Sequence, residues 1–452
     1  MAERARLGVR RAAALLGSAL AGALLIGVLF APSPPLRAHP KRIEVRFWHM
    51  WTAEWKVVVD RIVERFNQSQ DEYEVVALSV PASSADSKFL LAVVGGDPPD
   101  VMTQWNPVIP TWAESGMLTP LDELMSKEEW STFERTAYPV AKKIGTYRGK
   151  LYGLAVGVNL WAAYYRIDAL QEAGLDPERF PTSLEGLVAW GEKLDRFDAQ
   201  GNLTRLGFLP SWLGLYAPMF GGGFYDWQKG QLTLDTDANR RALSFLVERR
   251  SRLGLDKVTR FDSAQNAGSG IEWPFMTGAY AIAADGQWRV EQLARYAPEL
   301  RYGVAPIPPP QGGKEHAGWS SGNFMIVPRG AKQARGAWQF MKYWSGLENP
   351  ERAAEFYTWG GWLPSFPAVA AAPAFQTYLQ KYPQFRCFVE LMPSENWETA
   401  APVPYQVYLA DREAAADQLA SRGVLTPAAA LAALEQQARE ELVRRRRLGF
   451  AD

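Results

Sequence analysis

Ile43-Glu44-Val45-Arg46-Phe47 alternates apolar and charged side chains, the period-two signature of a strand with one buried face. Thr52 then stands where a helix can be capped. Beyond it Trp55, Val58, Val59, Ile62, Val63 and Phe66 recur at intervals of three and four, which draws one apolar stripe along a helix. Residues 73–80 read as a second strand, and residues 84–94 as a second helix stopped by Gly95-Gly96. Pro98-Pro99 breaks the chain before Asp100-Val101-Met102, a short buried strand. Strand, helix, strand, helix, strand predicts a parallel sheet with helices on its faces, so the fold class is α/β.

The pattern continues downstream. Strands are expected at 152–156, 279–284, 301–306 and 324–328, and helices at 168–173 and 333–344. Thr182-Ser183-Leu184-Glu185 has the form of a capping box opening a helix that runs to Leu194. Asp285-Gly286 reads as a turn ahead of Trp288, and Ile307-Pro308-Pro309-Pro310 as a rigid exit. Gly221-Gly222-Gly223 reads as a flexible loop. Thr426-Pro427 supplies a cap and an N1 proline for a last helix ending in Arg444-Arg445-Arg446-Arg447. At 452 residues the chain exceeds one ordinary core. No fixed-period repeat and no low-complexity linker follows residue 40. Two domains would therefore be joined by short strands.

Charge and cysteine usage bound the function. The 49 basic and 49 acidic residues are unevenly spread. The first 38 residues hold Arg4, Arg6, Arg10, Arg11 and Arg37 against Glu3, which leaves a net of −4 on the body. A mildly acidic body offers no footprint for nucleic acid. Arg10-Arg11 followed by an uncharged stretch at 12–30 is export chemistry, read as a signal peptide or an uncleaved N-terminal membrane anchor over 1–38. Cys387 is the single cysteine, so no intrachain disulfide forms and lipid attachment through an N-terminal Cys is excluded. It reads as a small buried hydrophobe.

Eighteen tryptophans accompany three histidines. An indole is a flat apolar face with an N–H at its edge, which suits a ligand with C–H faces and a hydroxyl rim, a sugar. Trp55, Trp190 and Trp338 lie within helices and read as core. Catalytic hardware is sparse. His39, His49 and His316 have no metal-ligand spacing, no G-x-S-x-G elbow occurs, and no metal or cofactor is expected. The rival enzyme reading is a secreted glycoside hydrolase, which needs only two carboxylates.

Several motifs in order then identify a family. They are Phe47-Trp48-His49, Gly95-Gly96-Asp97-Pro98-Pro99-Asp100-Val101, residues 113–122 ending in Thr119-Pro120-Leu121-Asp122, Leu151-Tyr152-Gly153-Leu154, Ala173-Gly174-Leu175-Asp176, and Phe275-Met276-Thr277-Gly278 ahead of Asp285-Gly286-Gln287-Trp288. Over residues 41–440 the chain resembles the extracellular solute-binding proteins of ABC importers, in the carbohydrate group with maltose-, multiple-sugar- and glycerol-phosphate-type binders. The resemblance implies a two-lobe periplasmic binding protein fold with a ligand cleft between lobes joined by crossing strands. One lobe would be 41–155 plus 304–346, the other 156–303 plus 347–452.

The resemblance also implies a non-enzymatic, monomeric protein of the periplasm or the extracellular face of the cytoplasmic membrane. It would deliver a di- or oligosaccharide to permease subunits driven by separate ATPase subunits. Glycerol phosphate is the alternative ligand. The ligand-binding residues it suggests are Trp288, Gly318 and Trp319 in a cleft loop, Gly361 and Trp362 in a loop of the second lobe, and Glu54, Trp105, Asn159, Trp212 and Arg412. Glu54 could equally serve the first-turn helix dipole, and Arg412 the surface.

Overall fold

The structure is a computed structural model that describes residues 38–39, 41–105, 108–265 and 273–450, without the side chain of Trp105. The expected export segment lies outside the described residues. Among those described, no helix is long and apolar enough to cross a membrane. The described residues from Arg42 onward form one compact unit.

Its centre is a sheet. β1 (Ile43–His49), β2 (Tyr73–Ser79) and β3 (Val101–Trp105) are parallel, with β1 in the middle, as the alternating opening stretch predicts. β4 (Leu154–Arg166) is long. β5 (Ile282–Gly286) and β6 (Tyr302–Ala305) pair with its far end, and β7 (Gly318–Pro328) lies antiparallel between β4 and β3. The two-residue β8 (Trp397–Glu398) adds to the start of β7. Asp100 fastens the parallel part. Its carboxylate accepts from the Arg46 amide at 2.8 Å and from the Gln333 amide at 2.8 Å, so one buried acid ties β1 to the helix that follows β7.

The helices that matter below are α1 (Ala53–Ser69), α2 (Ala82–Val94), α3 (Pro139–Gly145), α4 (Leu184–Leu194), α5 (Asp237–Leu253), α6 (Leu255–Ala264), α7 (Trp288–Tyr296), α8 (Ala334–Ser345), α9 (Pro350–Gly360), α10 (Gln406–Ser421) and α11 (Pro427–Arg447). They divide over two main cores. Val59, Ile62, Val63 and Phe66 of α1, the expected stripe, are buried with β1–β3, α8 and α9. A second core gathers α4, α5, α10 and α11 around the end of β4. β4 belongs to both: residues 154–160 pair with β7, and residues 161–166 run between β5 and β6. Side chains from 353 to 397 are buried with the first core and those from 401 to 438 with the second, although the sequence division had placed both stretches in one lobe.

Local expectations met the structure unevenly. Thr426 caps α11 by accepting from Ala429 N, with Pro427 at N1, as expected. The capping box expected at 182–185 does not form: Ser183 is the N-cap and accepts from Gly186 N at 3.1 Å, and Gly186 has no side chain to return the bond. The strand expected to end at Val156 runs on to Arg166, because Gly157 and the residues after it stay paired with the neighbouring strand β7. Asp285-Gly286 is the end of β5 and not a turn, and Gly318–Gly322 is strand and not loop. Gly221-Gly222-Gly223 is pinned. Asn239 accepts from the Gly223 amide at 2.9 Å, and a Cβ on Gly222 would lie 2.1 Å from the Asn239 Oδ1.

Candidate functional site: the exposed face of the crossing strands

Burial alternates along the first half of β7. Gly318, Ser320 and Gly322 are buried, while Trp319, Ser321 and Asn323 are half-buried. On β4 Leu160 and Ala162 are buried, while Asn159 and Trp161 are half-buried. Ser321 pairs with Asn159 and Asn323 with Gly157, so the half-buried set of both strands shares one face. That face carries two indoles, two amides and a hydroxyl, and it lies where β4 passes from one core to the other.

Its polar groups are held in place. Asn159 donates to Ser321 Oγ at 3.4 Å and accepts from Gln287 Nε2 at 2.9 Å. Gln287 also donates to the Val158 carbonyl and accepts from the Leu160 amide, both at 3.2 Å. This amide therefore clamps β4 to the start of α7 and fixes the residue after it, Trp288. The Trp288 ring stands edge-on to Trp161 (5.7 Å, 88°), and Trp212 meets Trp161 the same way (5.6 Å, 80°). Gly286 is required here, because a Cβ would lie 2.0 Å from Trp288 Cζ3.

A charged rim adjoins the face. Glu398, in register with Trp319, accepts from Trp227 Nε1 at 2.8 Å and meets Lys143 Nζ at 3.5 Å. Burial pushes its carboxyl above the usual range, against the pull of Lys143 and Trp227.

The structure thus brings Asn159, Trp212, Trp288 and Trp319 together, and it places Trp362, Gly361, Glu54, Arg412 and Gly318 off the exposed face. Trp362 is 5% exposed and is stacked on Trp344 in the first core. Gly361 caps α9 at φ 62°, with a Cβ position 2.6 Å from the Glu291 carboxyl carbon. Burial raises Glu291 to about 6, although its bond from Tyr378 works the other way. Glu54 pairs with Arg295 at 3.4 Å, at the far end of α7 from Trp288. Arg412 lies over the Tyr408 ring on α10. Gly318 is buried beneath Trp397, where a Cβ would lie 2.9 Å from the indole. Position 105 pairs with Asn323, and its side chain lies outside the described residues.

Phe47 and His49 are fully buried, and burial lowers His49 to about 4, so that motif is core. Cys387 is half-buried against the first core, and burial pushes its thiol up to about 12, which keeps it a protonated, unreactive hydrophobe. Trp161, Ser321, Asn323, Gln287 and Glu398 were not among the ligand-binding residues expected from sequence. The alternation Gly157, Asn159, Trp161 was the available signal for the first of them.

Comparisons with known proteins agree with this architecture. Residues 61–385 match the family described as bacterial extracellular solute-binding protein. The sn-glycerol-3-phosphate-binding periplasmic protein UgpB of Salmonella paratyphi A is 23% identical over 355 residues, covering 75% of this chain and 78% of that one. The maltotriose-binding protein of Pyrococcus abyssi is 22% identical over 335 residues, covering 73% and 68%. Among solved structures, CpMnBP1 with mannotriose bound superposes with a TM-score of 0.74 at 24% identity, over 88% of this chain and all of that one. The sugar-binding protein MalE of Xanthomonas citri gives 0.71 at 21% identity, over 90% and 100%. The fold is that of the two-lobe periplasmic binding proteins, and the chain belongs to the bacterial extracellular solute-binding family.

Proposed function

We propose that the protein is the substrate-binding component of a carbohydrate ABC importer, which captures a di- or oligosaccharide outside the cytoplasmic membrane and presents it to permease subunits. The observation that carries this is the face of β4 and β7. Trp161 and Trp319 supply apolar walls, Trp288 and Trp212 stand edge-on to the first, and Asn159, Ser321 and Asn323 offer groups that replace water on hydroxyls. Near the face, Lys143 is engaged by Glu398 and by the Trp397 carbonyl at 2.8 Å, and Lys314 also acts on Glu398. A phosphate would want several free cations. A neutral sugar therefore suits the face better than glycerol phosphate, the ligand of the UgpB relatives.

The lobes would be the two cores, joined by β4 and its partners, with the protein exported or anchored by its N-terminal segment. Its relatives are binding proteins, and binding without turnover is the expectation here. Thermal unfolding against a panel of sugars and glycerol 3-phosphate tests the reading. A ligand at one hundred times its Kd should stabilise by about 2.7 kcal/mol, and incubation should return it chemically unchanged. Stabilisation by glycerol 3-phosphate alone would select the other ligand, and release of cleaved sugar would select a hydrolase.

A further inference from the structure

A cavity of about 610 Å³ opens beside the aromatic face, between β5, the segment 206–212, α6 and α10. That volume is within the range of small-molecule sites. Two of its walls continue the face already described. Trp212, edge-on to Trp161, also lines the cavity. Strand β5, whose Gly286 pairs with Trp161, lines it with residues 282–285.

The remaining lining is mixed in a particular way. Leu209, Leu255 and Val258 are apolar, and Trp273 adds a second indole. Its carboxylates are already engaged: Asp417 by Arg250, Asp285 by Arg289 at 2.8 Å, and Asp262 by the Tyr280 hydroxyl at 2.9 Å. Arg250 also donates to Ser421 at 2.7 Å. A cavity whose carboxylates and Arg250 are engaged, with aromatic and hydroxyl-bearing walls and Arg422 at its exposed edge, suits a polyhydroxylated guest.

Resting on the proposed function, we infer that this cavity is a second, length-selecting subsite, taking the distal pyranose units of an oligosaccharide whose first units lie against Trp161 and Trp288. Geometry sets the length requirement. From Gly286 to Ile282 the strand advances roughly 13 Å, which is more than one pyranose ring. A monosaccharide or short disaccharide occupies the face alone. A longer chain passes Trp212 and gains the cavity.

Calorimetric titration with two series, mannobiose to mannohexaose and maltose to maltohexaose, tests this on the whole protein. In the series that binds, affinity should climb at least tenfold from the disaccharide to longer members and then level. The double variant Ala414→Met with Gln418→Met puts apolar bulk on exposed α10 positions that border the cavity, using good helix formers. It should cut affinity for the longest members at least tenfold and leave the disaccharide within twofold. Trp288→Ala should weaken all lengths together. Binding that does not depend on length, or a double variant that weakens every length equally, overturns the cavity subsite and leaves sugar binding standing. Absence of binding by any sugar removes the proposed function and the subsite with it. Should the double variant not fold, the single variant Gln418→Met is read against the same length series, with the same two outcomes.

Discussion

Two groups of tryptophans, chemically identical, sit in opposite environments. In the first core Trp344 is fully buried, stacked on Trp51 (5.6 Å, 17°) and on Trp362 (5.7 Å, 30°), with Phe47 and Phe340 at its edges. At the crossing strands Trp161 and Trp319, with Trp212 and Trp288 beside them, are half-buried, and the three that touch meet edge to face. The core trio stacks ring on ring, with Trp344 and Trp362 buried and Trp51 half-buried against them. The strand group leaves surface open, beside amides and a hydroxyl. What separates a structural indole from a candidate binding one here is strand register. Asn159 opposite Ser321 and Asn323 opposite Gly157 put polar groups on the same face as Trp161.

The largest expected effect breaks the core side of that comparison. Trp344→Ala should cost about 3–5 kcal/mol of stability, read by chemical denaturation, with ligand affinity of the folded fraction unchanged. A loss of affinity without loss of stability would put the core trio in the site. The converse variants, Trp161→Ala and Trp288→Ala, should each weaken sugar binding by roughly 1–3 kcal/mol while the denaturation midpoint barely moves. Unchanged affinity in both would show that the ligand lies elsewhere.

The comparison also explains what was legible in the sequence. The parallel unit β1–β3 and the α1 stripe were readable because alternation and helical period act locally, within a dozen residues. Trp288 was readable through the motif around Gly286, where the steric need for glycine is strict. Trp362 was misassigned because Gly360-Gly361 looks like an open loop. Its ring in fact folds back into the core, and φ at Gly361 ends a helix there. Trp161, Ser321 and Asn323 were missed because their common face exists only once β4 and β7 pair across more than 150 residues. No local pattern encodes that register. The second core's share of the C-terminal stretch, 401–438 but not 353–397, is likewise set by long-range packing.

A pH experiment sharpens the comparison at the back of the aromatic face. Glu413 lies behind Trp212: a Cβ on Gly214 would be 3.0 Å from Trp212 Nε1 and 3.2 Å from Glu413 Oε1. Burial, reinforced by Asp417, pushes the Glu413 carboxyl up to about 8. The folded state therefore holds this proton where the unfolded chain, near the usual Glu value, has released it. Stability from this group is complete below that usual value and is lost as pH rises to about 8. Glu413→Gln should remove the dependence and stabilise the protein at pH 8 by about 1–2 kcal/mol, a figure discounted for partial exposure. Denaturation midpoints of both proteins from pH 5 to 8 provide the check. Parallel curves would mean that Glu413 is ionised throughout.

The smallest expected effect concerns the contact that spans the two cores near the site. Lys143 stands on α3, whose Val140, Ala141 and Ile144 belong to the first core. Its ammonium reaches the Trp397 carbonyl at 2.8 Å and Glu398 at 3.5 Å, and Glu398 in turn accepts from Trp227, next to Tyr225 of the second core. If two lobes rock about β4, this cluster exists only when they are together. It then favours the closed form by its own interaction energy, about 0–1 kcal/mol for an ion pair that keeps some solvent contact. Lys143→Ala should weaken sugar affinity by no more than about fivefold, through a larger open population and not through a lost ligand contact. Small-angle scattering separates the two causes. The variant without ligand should show a larger radius of gyration than the unaltered protein, and saturating ligand should bring both to the same value. Equal radii without ligand, together with weakened binding, would instead make Lys143 a direct ligand contact and would move the rim into the binding site itself.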